Sequence, residues 1–196
     1  MIEIKFIEKF SDAQPFFTDT EIVAGQAYSV IELIKRMLIH SDNQAADLLF
    51  HAVQSEQDIW EKLFDELGLQ LKIENERIDN EMTVKQMSLF FRVLYNATYL
   101  NRDMSELALE LLSESTFKEG FKKSVNNDIF VACKYGEREL KDTCQLHECG
   151  IFYYNDNPYL LCVMTKGANY EALLPVLTNV SKTVYKEMKA QFPSEQ

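Results

Sequence analysis

QLHECGIFYYNDNPYLLCVMTKG, residues 145–167, decides the fold class. Gly150 to Tyr154 and Tyr159 to Thr165 are short apolar runs rich in β-prone residues. Between them stand Asn155, Asp156, Asn157 and Pro158, each a residue that favours a turn. Two such runs about such a connection predict an antiparallel hairpin. Just upstream Ile129, Val131 and Cys133 recur with the period of two that marks a third strand.

On either side of this sheet the period changes to that of helices. Ser29-Val-Ile-Glu32 reads as a capping box, and Val30, Leu33, Ile34, Met37 and Leu38 follow at helical spacing. His40 and Ser41 close that helix, and a second begins about Asp42 with Ala45, Ala46, Leu48, Leu49 and Ala52 on one face. Ser55 to Asp58 opens a third, carrying Ile59, Leu63, Phe64 and Leu67, with Gly68 as its stop. Glu74 to Glu81 is a polar, solvated connection. Thr83 to Gln86 caps a fourth helix with Val84, Met87, Phe90, Phe91 and Leu94 inward, and Asp103 to Leu112 reads as a fifth. Leu173, Val176, Leu177, Val180, Val184, Tyr185 and Met188 make a long C-terminal helix. Helices first, strands together and a closing helix predict an α+β class, a helical cluster on an antiparallel sheet. No repeat or linker divides residues 1–196, so one domain is expected.

Composition narrows the functions. Hydrophobic residues make up 46%, enough for a real core. A net charge of −11 argues against nucleic acid, which needs a basic face, and no polybasic segment suits anionic lipid. No apolar run is long enough to span a bilayer, and MIEIKFIEKF interleaves charges with apolar residues unlike a signal peptide. Cys133, Cys144, Cys149 and Cys162 have no C-x-x-C spacing and no His cluster beside them, so neither a metal nor a disulfide framework is expected; they read as buried free thiols.

Two tripeptides carry the chemistry. Ser41-Asp42-Asn43 lies at a helix–helix corner, and Lys134-Tyr135-Gly136 lies near a strand end, 93 positions later. Ser41 or Asp42 could serve merely as an N-cap, and Lys134 could be an ordinary strand-end lysine. Together they match S-D-N and K-T-G of the class A β-lactamases and penicillin-binding proteins. IELIKRMLIHSDNQAADLL resembles that family's S-D-N helix pair, VACKYGE its K-T-G strand, residues 145–167 the two strands after it, and VSKTVYKEM its terminal helix.

The resemblance implies a β-lactamase/transpeptidase-like fold and serine acyl transfer on a β-lactam or a D-alanyl-D-alanine peptide, without metal or organic cofactor. It assigns Ser41 to pass a proton to the leaving nitrogen and Lys134 to hold Ser41 and attract the substrate carboxylate. Asn43 would bind the substrate's amide carbonyl and orient a base lysine. Gly136 would let substrate lie against the strand, the Glu137 N–H would be an oxyanion donor, and Tyr135 stands where a small threonine hydroxyl meets the carboxylate. Asp42 fixes the corner. The family also implies an extracytoplasmic protein, in the periplasm or at the cell surface. His147 reads as the donor or acceptor of a structural hydrogen bond, and His40 and His51 carry no assignment.

Three features depart from the family. Its nucleophile lies in an S-x-x-K helix well before S-D-N, yet only 40 residues precede Ser41 and none forms that motif. Ser115-Thr-Phe-Lys118 matches it in the wrong order. The expectation is a family member cut before Met1, lacking the nucleophile, the base lysine, the strands beyond the hairpin and any anchor. Such a chain has an open sheet edge, so marginal stability, self-association through that edge or completion by a partner is expected. Second, Tyr135 is bulky. Third, nothing between Gly68 and Thr83 corresponds to the family's deacylating loop with its glutamate, which disfavours rapid β-lactam turnover. The alternative is a non-catalytic module that keeps the groove and binds cell-wall peptide or a protein partner; a structural remnant without a ligand is a third reading.

Overall fold

A computed structural model describes residues 3–5, 14–16, 21–53, 57–69, 73–74, 77–78 and 82–193. Short β1 (Glu3–Lys5) pairs antiparallel with β2 (Ala27–Ser29), which leads into α1 (Val30–Lys35). Then come α2 (Asn43–Val53), α3 (Gln57–Glu66), the two-residue strands β3 (Ile73–Glu74) and β4 (Arg77–Ile78), α4 (Val84–Asn96) and α5 (Arg102–Ser113). A 3-10 turn at Phe121–Ser124 precedes β5 (Phe130–Glu139), β6 (Cys144–Tyr153) and β7 (Tyr159–Gly167), and α6 (Tyr170–Gln191) closes the chain. Among the described residues no helix is long and apolar enough to cross a membrane.

The three long strands form one antiparallel sheet in the order β5-β6-β7. Asn155 takes a positive φ of 49° in the tight turn between β6 and β7. Strand alternation splits the side chains into two layers. Val131, Cys133 and Tyr135 of β5 join Leu146 and Phe152 of β6 against Phe117, Phe121 and the α6 residues Leu173 and Leu177. Ala132, Cys149 and Ile151 face the other way, onto Phe91 of α4 and Leu109 and Leu112 of α5. A third cluster, Ile22, Tyr28, Leu33, Ala45 and Leu48, ties β2 to α1 and α2. Each fully buried Leu or Phe contributes about 1.5–3 kcal/mol through apolar area removed from water.

Two expectations are corrected here. Cys149 and Cys162 are not free thiols: they stand directly opposite each other across β6 and β7 and are joined as a disulfide. Cys133 and Cys144 are free and buried. Within residues 74–81 the described part is not a plain loop, because Ile73 pairs with Ile78 and Glu74 with Arg77. Other local expectations agree with the structure. Thr83 and Gln86 make a reciprocal capping box, and Gly68 ends its helix at φ 64°. Ser55 lies outside the described residues.

One buried carboxylate holds the turn before β5. Glu148, opposite Tyr135 in the register and 2% exposed, accepts a hydrogen bond at Oε2 from the Phe121 N–H (2.8 Å). Gly120 makes room for it, since a Cβ there would overlap Glu148 Oε2 and lie 2.7 Å from the Phe117 ring. Burial raises the Glu148 carboxyl to about 7, against the opposing pull of the Phe121 N–H, Cys133 and Lys122. A native pKa above the ordinary 4.5 favours folding below that value and costs stability as pH rises toward 7. We expect Glu148→Gln to abolish a loss of about 1–3 kcal/mol that the unmodified chain suffers across this interval, read from urea midpoints at several pH values. Parallel pH dependences in the two proteins would contradict this account.

Candidate active site

The corner at residues 36–43 follows from a change of helical pitch. α1 starts under Ser29, whose Oγ accepts from the Glu32 N–H (3.3 Å). After Lys35 the helix widens into a π turn, Arg36–His40. The Ile39 carbonyl, in the last turn, accepts instead from the Thr116 N–H at 3.0 Å. Ser41 then ends the helix in the left-handed region (φ 60°, ψ 31°), a conformation that favours glycine. Asp42 starts the next helix: Oδ1 accepts from the Gln44 and Ala45 N–H groups (2.9 and 3.1 Å), and Oδ2 from Arg36 Nε (2.7 Å). Asp42 is therefore the cap. The Ser41 hydroxyl is left for something else.

Its partner is on β5. The Lys134 ammonium donates to Ser41 Oγ and to the Tyr135 carbonyl (2.9 Å), and the Ser41 hydroxyl lies 3.4 Å from that same carbonyl. Ser41 is 8% exposed. Burial lowers the Lys134 ammonium to about 8, opposed by Cys133 and Glu137. A serine hydroxyl beside an ammonium that titrates near neutrality can take up and release a proton at little cost.

The other residues singled out from the sequence fall into place unequally. Asn43 is exposed on the first turn of α2, and its N–H donates to Gln14 Oε1 (2.9 Å). Among the described residues, a Cβ at Gly136 would meet nothing within 4 Å, so they leave open space beside that strand position. Glu137 turns its carboxylate back onto the chain, where Oε1 accepts from the Phe16 N–H (3.3 Å). Burial raises its pKa. The Tyr135 side chain does not stand open to a ligand: it is 2% exposed and stacks on Phe117 at 4.4 Å. A tyrosine ring carries too much apolar surface to stay in water beside other rings. His147 accepts from the Thr165 N–H at Nδ1 (3.1 Å), a structural bond.

Sequence reasoning missed Gln14 and Phe16. Gln14 bridges the corner, donating to the Ser41 carbonyl (2.8 Å) while accepting from Asn43. Both residues lie in an irregular stretch with no period to mark them. Among the described residues no group of three His, Cys, Asp or Glu could hold a metal ion.

A family model described as the beta-lactamase enzyme family matches residues 13–188. The chain belongs to that family. A search of curated proteins returned no match. Among solved structures, the chain is similar to a β-lactamase from Xanthomonas campestris pv. campestris at 22% identity and TM-score 0.75, covering 94% of this chain and 73% of that one. It is similar to a β-lactamase from Chitinophaga pinensis at 19% identity and TM-score 0.71, covering 84% and 67%. It also resembles PBP-A, in an acyl-enzyme complex with penicillin G, at 14% identity and TM-score 0.71, covering 96% and 72%. At these identities the structural likeness establishes the β-lactamase/transpeptidase-like fold.

Proposed function

We propose that the Ser41–Lys134 groove is the proton-relay and anion-holding half of a serine acyl-transfer site. Its substrates are β-lactams or D-alanyl-D-alanine peptides outside the cytoplasm. The contact between Ser41 and Lys134, from segments 93 residues apart, carries this reading. Acyl transfer needs a proton for the departing nitrogen and a cation for the substrate's charge, and one hydrogen-bonded pair supplies both. Asn43 stands exposed beside the pair to meet an amide, and Gly136 keeps the strand edge open for an extended ligand. No S-x-x-K precedes Ser41 among these 196 residues, so the Ser41–Lys134 pair accounts for proton relay and charge holding and not for the acylating nucleophile.

That same gap favours a second reading, a module that binds cell-wall peptide reversibly. Fluorescent penicillin separates the two. The native gene product, with whatever coding sequence lies in frame before Met1, is expected to label covalently under the acyl-transfer reading. Saturable, fully reversible binding would instead support the module.

A further inference from the structure

A cavity lies between the end of α5, the 3-10 turn and the start of β5, and it shares no residue with the Ser41–Lys134 groove. Its volume is about 490 Å³, within the range of about 300–1,000 Å³ usual for small-molecule sites. Phe130 on its wall stands four positions before Lys134 on β5, about 13 Å along an extended strand.

The wall is cationic in a chain whose net charge is −11. Lys118, Lys122 and Lys123 line it against one carboxylate, Asp128. Lys123 is answered by Glu119 at 2.7 Å, but among the described residues Lys118 and Lys122 have no ion-pair partner. Lys122 is held in place: Nζ donates to the Ser113 and Ser115 carbonyls, which leaves one of its three N–H groups unused. Burial lowers its pKa and Lys118 lowers it further, against the opposing pull of Cys133, Glu148 and Glu114. Two ammonium groups close enough to repel each other are both relieved by an anion between them.

The donors select the kind of anion. A carboxylate brings one charge and two oxygens, whereas a phosphate monoester at pH 7 brings about 1.5–2 negative charges and three acceptor oxygens. Lys118 offers three N–H groups and Lys122 one, and the Asn126 amide stands on the same wall. Phe130 gives the cavity an apolar border. It is 45% exposed, its ring meets Tyr153 edge-on at 5.2 Å, and Tyr153 lies 6.3 Å from Tyr95. Such rings offer a face on which a planar group can pack.

We infer that this cavity binds a small phosphate monoester with an aromatic body, its phosphate at Lys118 and Lys122 and its ring on Phe130. The site is separate from acyl transfer and stands whether or not that reading does.

The probes are phenyl phosphate, inorganic phosphate and benzoate, each titrated calorimetrically into the full chain at low salt. Phenyl phosphate is expected to bind saturably and about tenfold more tightly than either of the others, because benzoate lacks the second charge and inorganic phosphate lacks the ring. Lys118→Ala, at an exposed position, is expected to weaken phenyl phosphate about fivefold or more. Phe130→Ala, also exposed, is expected to bring it to the affinity of inorganic phosphate. Lys134→Ala is expected to leave its binding unchanged. Absence of saturable phenyl phosphate binding to the unmodified chain overturns the inference, as does benzoate binding equally tightly. An affinity unmoved by both Lys118→Ala and Phe130→Ala overturns it too. Binding that survives Lys118→Ala and is lost in Lys134→Ala puts the anion beside Ser41 instead, and the cavity is then not its site.

Discussion

Lys134→Ala is expected to slow penicillin labelling of the native gene product by about 10²–10³-fold, the usual cost of losing one preorganised charge donor at an acyl-transfer site. The side chain does two jobs that alanine cannot do: it donates to Ser41 Oγ and it places a cation in the groove. Lys134→Arg keeps the charge, but its planar fork replaces a compact ammonium whose donors can swivel, so it should recover only part of the rate. Labelling should also fall as pH rises through about 8, where the buried ammonium loses its proton. The sign for stability is opposite. A lysine whose native pKa lies below the ordinary 10.5 is penalised by folding at neutral pH, and that penalty fades between about 8 and 10.5. Labelling should therefore decline as pH rises into the range where this group's penalty on the fold is fading. Rates unchanged by Lys134→Ala, or flat through pH 8, would remove Lys134 from the chemistry.

Asp42→Ala should be the most damaging single change to the corner. Asp42 is paired with Arg36 at 2.7 Å, with side-chain exposures of 4% and 12%, and it caps α2 through two N–H groups. Removing one partner of a buried pair costs up to about 3–5 kcal/mol, and losing a cap adds about 1 kcal/mol. The expected loss is about 3–5 kcal/mol in the urea unfolding free energy, since these terms overlap. Asp42→Asn should retain the cap and lose less. A change below about 1 kcal/mol for Asp42→Ala would show that the ion pair is largely solvated.

These two residues also show what could be read before coordinates were known. The tripeptides around Ser41 and Lys134 stood out because they resemble the S-D-N and K-T-G of one family in that family's order. The hairpin was legible because Asn155 to Pro158 are turn formers between two apolar runs. The start of β6 at Cys144 was hidden from the residue pattern, which begins the run at Gly150, because its first residues mix polar and apolar types; the family resemblance placed it at Gln145. The Cys149–Cys162 link was hidden for a related reason, because partners across a sheet depend on register rather than on spacing along the chain. Ser41 gave no sign of its left-handed backbone, where a glycine would have announced itself. Gln14 and Phe16 act through contacts to residues 27 and 121 positions away, which no local pattern encodes.

The decisive measurement is a crystal structure of this chain that resolves the side chains at the corner. Lys134 Nζ should lie within about 3.2 Å of Ser41 Oγ, inside hydrogen-bonding distance. Tips separated by more than about 6 Å, with Lys134 in solvent, would mean that the corner is only a cap and that no shared groove exists.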